Sequence, residues 1–278
     1  MSHSKGVIDP AQRDDNEMFI GWGKPPDVDR RFLLGALPIG FASVAGFSWL
    51  NASMVSDPGA GQWLTDATHE ITGALITDPY PMIRIADPAA PFGVRTVLVV
   101  AQGKCTSALD LADQNAKLVT ASGVLIERKD RRMLEVPPFL EDWLREAKPE
   151  KLRPPSSVPK EGVDVRVIVN SNEESLGRAR LAGKIMDSKC FFGVMRPAQG
   201  KTHKACASLC IRGGIPPSFW VRTNDGGESI MLMTTTDGDP MPMDILPLVA
   251  DPVEATGEIV RVGDLLHFRA DASAYKRV

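Results

Sequence analysis

Aromatic residues are scarce in this chain, 6% of 278 positions with only two Tyr, whereas Gly (24) and Pro (22) are plentiful. That balance disfavours long packed helices and favours short strands joined by many turns. There is no excess of positive charge. Thirty-two Lys and Arg against 35 Asp and Glu leave a net charge of -3, which excludes the basic footprint of a nucleic-acid binder. Four Cys are too few for a disulfide-rich scaffold. Several catalytic and cofactor signatures are missing: Cys-x-x-Cys-His for covalent haem, Gly-x-Ser-x-Gly, a Walker loop and the paired Cys-x-His ligands of a Rieske centre. No nucleophile–base set stands out, so a free-standing enzyme is the least favoured class.

One absence is positional. Residues 32–56 (FLLGALPIGFASVAGFSWLNASMVS) contain no charged residue. A membrane span needs about 20 apolar residues, so the stretch qualifies as a transmembrane helix. Its Gly, Ala and Ser content lowers hydrophobicity but permits close helix packing, and Trp49 sits where an interfacial anchor would sit. Lys24, Arg30 and Arg31 precede the span, and no Lys or Arg follows until Arg84. The positive-inside rule therefore keeps residues 1–31 in the cytoplasm and exports the rest. The run Asp29-Arg30-Arg31-Phe32-Leu33-Leu34-Gly35 resembles a twin-arginine export signal. That resemblance implies export in a folded state, often with a cofactor already installed. The small-x-small pattern near Asn51-Ala52-Ser53 is a weak cleavage site, so the segment reads as an uncleaved anchor. The expected placement is a single-pass protein of a bacterial inner membrane with its body in the periplasm.

The body repeats itself. Residues 71–76 (ITGALI) parallel 181–186 (LAGKIM), 95–103 (RTVLVVAQG) parallel 230–238 (IMLMTTTDG), and 118–136 parallel 252–270 with Gly123 and Gly257 in the same place. Alternating apolar residues between turns are the strand signature. Val97 and Val99 alternate with Leu98 and Val100, which implies burial on both faces of that strand. About five strands per copy fit a small closed barrel, which removes sheet edges. The expected fold class is mainly β: one transmembrane helix, then two duplicated small β-barrel (OB-like) or sandwich domains, 57–136 and 163–278. Residues 137–162 form the linker, with a short amphipathic helix expected at 139–148 and a stiff Pro-rich stretch after it.

The copies differ at one place, an insert at 187–214 (DSKCFFGVMRPAQGKTHKACASLCIRGG) that the first copy lacks. Long loops in compact domains are usually functional. Cys190, His203, Cys206 and Cys210 all fall in it, the last three at i, i+3, i+7 on a helical stretch. A Cys3His set is a ligand group for a metal ion or an iron–sulfur cluster. Lys189, Lys201 and Lys204 would favour thiolates. Ideal helix geometry separates His203 from Cys210 by about 10 Å, which pushes one of them away from a common ion. A disulfide from Cys190 to Cys206 or Cys210 is an alternative in an oxidising compartment. Zinc is another, and a copper site would draw on Met195 or the pairs Met231/Met233 and Met241/Met243, although those pairs read more simply as one buried strand face. Lone Cys105 reads as a small apolar packer, and His69 and His267 as structural histidines in strands. The insert also resembles segments of uncharacterised bacterial membrane-associated proteins, a likeness that brings no activity with it.

The expectation is a non-catalytic or electron-transfer protein: an accessory subunit of a respiratory or photosynthetic complex, partnered by integral membrane subunits and the bilayer. In outline, an anchor plus an exported β body looks like a Rieske subunit. The rival expectation is a structural scaffold whose insert is stapled by a disulfide or zinc.

Overall fold

The structure, a computed structural model, describes residues 27–54, 61–139, 141–147, 173–195, 198–223 and 226–278. Residues 1–26 of the expected cytoplasmic extension, and most of the expected Pro-rich linker, lie outside the described residues. The chain divides into two compact units, Met1–Asp57 and Pro58–Val278.

The described residues of the first unit form one helix, α1 (Asp27–Met54), which begins five residues before the uncharged run. Asp27 and Asp29 occupy its first turn, where negative charge offsets the helix dipole. An 18-residue window within the stretch Asp29–Met54 has mean hydropathy 1.6, and the stretch as a whole is 26 residues long. At 1.5 Å per residue that is about 39 Å, longer than the ~30 Å hydrocarbon layer. The helix is thus long and apolar enough to cross a membrane, properties that a signal sequence shares.

The second unit is mainly β. The first sheet comprises β1 (Gln62–Ile76), β2 (Met82–Ala86), β3 (Val94–Ala101), β4 (Leu118–Arg128), β5 (Arg131–Val136) and β6 (Leu144–Glu146). It runs β1-β2-β3-β5-β4-β6, and a β1–β4 pairing closes five strands into a barrel, with β3 and β5 parallel. The second sheet comprises β7 (Glu173–Asp187), β8 (Pro217–Arg222), β9 (Glu228–Thr234), β10 (Pro252–Val262), β11 (Leu265–Arg269) and β12 (Lys276–Arg277). It runs β11-β9-β8-β7-β10-β12, with an additional β10–β11 pairing and β9 parallel to β11.

Both sheets curl tightly at glycine. A Cβ at Gly73 would sit 2.3 Å from the Arg84 carbonyl oxygen, and one at Gly183 would sit 2.3 Å from that of Trp220. Gly123 and Gly257 meet the carbonyls of Glu135 and Arg269 in the same way, at 2.4 and 2.6 Å. Only a residue without a side chain allows strands to approach so closely at a barrel corner.

The described residues within 139–148 do not form the expected helix. Glu141–Trp143 make a single 3-10 turn, and Leu144–Glu146 then pair with β4. The open edge of β4 offers backbone partners that a short helix after Pro137-Pro138 does not need. Trp143 and Leu144 still pack on the barrel core, while Phe139 is exposed and Leu140 and Lys148 lie outside the described residues.

Burial on both faces of β3 is what positions the insert. Val97 and Val99 point into the first barrel with Leu75, Ile83, Val119 and Leu134. Leu98 and Val100 point outward, against Cys190, Phe191, Phe192 and Cys210 of the insert, Ile215 just after it and Trp220 of β8. Phe191 and Phe192 are buried, each stabilising this contact by roughly 2–3 kcal/mol. The interior of the second sheet is separate, built on Phe219, Met231, Met233 and Phe268.

Candidate metal centre

The insert begins where β7 ends. Asp187, fully buried, is the hub of the turn. Its Oδ1 accepts the Cys190 backbone N–H at 2.8 Å, and its Oδ2 lies 3.0 Å from His203 Nε2. The Ser188 hydroxyl donates to the Pro216 carbonyl at 2.7 Å, tying the start of the insert to its end. Cys190–Val194 form one wide helical turn. Lys201–His203 form a 3-10 turn that leads into α2 (Lys204–Arg212), whose buried face carries Ala207, Cys210 and Ile211. Cys206 and Cys210 are one helical turn apart and share a side.

The first barrel supplies the other wall. Lys189 is buried and donates to the carbonyls of Ala101 and Gly103 at 2.9 and 2.8 Å. Its ammonium also meets buried Glu135 at 2.5 Å, and Trp63 Nε1 donates to the second oxygen of that carboxylate at 3.0 Å. At the far end of α2, a Cβ on Gly213 would fall 1.6 Å from the Lys104 carbonyl oxygen, so that position accepts only glycine in this packing. The close approach brings the Lys104 ammonium 3.0 Å from Cys206 Sγ.

The sulfurs of Cys190, Cys206 and Cys210 all lie within 4.8 Å of one another, and none is in a disulfide. A second group, Asp187, Cys190 and His203, meets the same limit. Cys190 is common to both. His203 therefore joins Asp187 rather than completing the sulfur group, in line with its distance from Cys210 along the helix. The arrangement matches a ligating histidine oriented by a carboxylate through one ring nitrogen. His203 Nδ1 is buried and has no hydrogen-bond partner among the described residues. These donors fit a metal ion: three soft sulfurs with a nitrogen at their flank.

The electrostatics separate the thiols. A hydrogen bond to Cys210, burial and the Asp187 charge push the Cys190 thiol far up. Cys210 is held below the usual thiol range, chiefly because Cys190 donates to it, with Lys104 and Cys206 assisting. The contact with Cys206 raises the pKa of Lys104. Between the two, Cys190 is thus the protonated donor and Cys210 the favoured thiolate.

Three expectations are corrected here. Two of the insert's lysines are engaged away from the sulfurs: Lys189 serves Glu135, and Lys204 binds Asp251 at 2.7 Å. Lys104 of the first barrel takes that role. Cys105 does not pack as an apolar residue but donates its thiol to the Gln102 carbonyl at 3.1 Å. Met231 and Met233 lie buried on β9 as expected, but Met241 and Met243 are not on a strand and Met243 is exposed; the remaining copper candidate, Met195, has its Sδ 3.7 Å from Cys206 Sγ. His69 and His267 lie in β1 and β11 as structural residues, though the Nε2 of each lacks a partner among the described residues. Sequence reasoning missed Asp187, Lys104 and Glu135, since nothing in their local pattern marks them. No protein-family model matches the chain, and no curated protein matches it.

Proposed function

We propose that the chain is a membrane-tethered accessory subunit of a respiratory or photosynthetic electron-transfer complex, carrying a mononuclear metal–thiolate centre. The observation behind this reading is the approach of Cys190, Cys206 and Cys210 to within 4.8 Å of one another. Thiolates bound at ~2.3 Å to one tetrahedral ion lie about 3.8 Å apart, so a small inward adjustment completes the site. In an iron–sulfur cluster at least two of any three ligating sulfurs sit on different irons and lie wider apart, which favours a single ion for three sulfurs this close. The Arg30-Arg31 pair before the span, and the lack of Lys and Arg after it, support a tether in the bacterial inner membrane with the body in the periplasm.

The body itself reads as a duplicated OB-like unit. In each sheet the strands run first-second-third-fifth-fourth, with third and fifth parallel. Gly73 pairs with Val119 four residues before Gly123, and Gly183 pairs with Val253 four residues before Gly257. The same pairings match Val97 to Met231 and Ile126 to Val260. The parallel between 95–103 and 230–238 is one residue out of step, because Thr96 rather than Arg95 corresponds to Ile230. Strands that are apolar on both faces have no alternation to hold an alignment in register.

The rival reading, a scaffold stapled by zinc or a disulfide, draws on the Cys190–Cys210 hydrogen bond, a thiol beside a thiolate. Elemental analysis of the full chain purified from membranes, with its co-purifying subunits, tests the proposal. We expect one metal ion per chain, lost in Cys210→Ser. A metal-free protein with Cys190 disulfide-linked in peptide maps would overturn it.

A further inference from the structure

The metal centre proposed above has an inner and an outer side. Cys190 and Cys210 are 4% and 2% exposed, whereas Cys206 is half-buried and Met195 is 41% exposed. Met195 Sδ lies 3.7 Å from Cys206 Sγ, close to the spacing of about 3.8 Å expected of two sulfurs on one ion. The backbone holds Met195 there, since its N–H donates to the Cys190 carbonyl at 3.2 Å. Of the harder donors nearby, Asp187 spends both oxygens on Cys190 N–H and His203 Nε2, and His203 groups with Asp187 and Cys190 rather than with Cys206 and Cys210.

From this arrangement we infer that Met195 is a fourth sulfur ligand and that the centre is a copper(I) site open to solvent along its Cys206–Met195 edge. The inference rests on the metal-centre reading and adds the identity of the ion. A thioether is a soft, uncharged donor. It contributes to a copper(I) site and little to zinc, which takes thiolate, imidazole or carboxylate. Lys104, 3.0 Å from Cys206, offsets part of the negative charge that thiolates leave on a monovalent ion. The half-exposed edge, flanked by exposed Leu209, lets a second thiolate- or thioether-bearing protein reach the ion, as exchange requires.

The test uses the full chain in detergent, reduced and under anaerobic conditions. Copper(I) is titrated against a chromogenic copper(I) chelator and zinc(II) against a zinc indicator, for the natural protein and for Met195→Leu. Met195 is exposed enough for Leu to be accommodated. We expect one copper(I) per chain with only sulfur neighbours in X-ray absorption. Losing a ligand should cost at least what losing a supporting contact costs, so Met195→Leu should weaken copper(I) binding by about tenfold or more and leave zinc(II) within about twofold. Unchanged copper(I) affinity in Met195→Leu would overturn the assignment of Met195. Tighter zinc(II) than copper(I) binding, with a nitrogen neighbour, would overturn copper while keeping the centre. Binding of neither ion would overturn the centre itself.

Discussion

Lys189→Met isolates what the first barrel contributes to the sulfur site. Lys189 and Glu135 have side chains 4% and 5% exposed and meet at 2.5 Å. The lysine also satisfies the Ala101 and Gly103 carbonyls. Methionine retains the length and apolar stem but removes the charge and all three hydrogen bonds. It leaves the Glu135 carboxyl group buried with Trp63 as its remaining described partner. Removing one member of a buried pair costs about 3–5 kcal/mol, because the other charge is left uncompensated. Against a total stability of about 5–15 kcal/mol, that is a large fraction. The double variant Lys189→Met/Glu135→Leu should recover much of the loss, since no charge is then stranded. Urea unfolding of the full chain in detergent, followed by tryptophan fluorescence, measures all three. A single-variant loss under about 1 kcal/mol, or a double variant no more stable than the single, would refute the reasoning.

Gly213→Ala should destabilise the body by about 1–3 kcal/mol, because the new Cβ meets the Lys104 carbonyl, a backbone atom that moves only with its loop; an unchanged melting temperature by circular dichroism would count against this packing. His267 is neutral in the fold: burial pushes its pKa down to about 4, with Arg269, Arg84 and Arg131 adding to the effect and Glu173 opposing it. Its stabilising contribution is complete above the unfolded value of about 6.5 and is lost as pH falls toward 4, by roughly 3 kcal/mol. His267→Met should flatten the stability profile between those pH values, and an unaltered slope in acid unfolding curves would exclude the role. Replacing Arg30 and Arg31 by Lys should block export on the twin-arginine route, read by protease protection of the body in spheroplasts; unchanged export would point to another route.

The elements that sequence revealed are those governed by local or one-dimensional rules. An uncharged run of residues is a span candidate wherever it occurs, and α1 follows it. Alternation and turn residues mark strands, and the Gly73/Gly183 and Gly123/Gly257 pairs mark the corners, because a strand approaching to within 2.3–2.6 Å excludes any Cβ. Spacing placed Cys206 and Cys210 on one helical side and kept His203 at a distance from Cys210. The rest depended on packing between segments far apart in the chain. Lys104 reaches Cys206 across 102 positions, and Glu135 captures Lys189 across 54, so proximity in sequence pointed to the wrong lysines. Residues 139–148 carry a helical apolar pattern, yet the unpaired edge of β4 draws part of them into a strand. The one-residue slip between 95–103 and 230–238 has the same origin. With apolar side chains on both faces, only the hydrogen-bonded neighbours β2 and β8 decide which residue points inward, and that decision is made by tertiary pairing rather than by pattern.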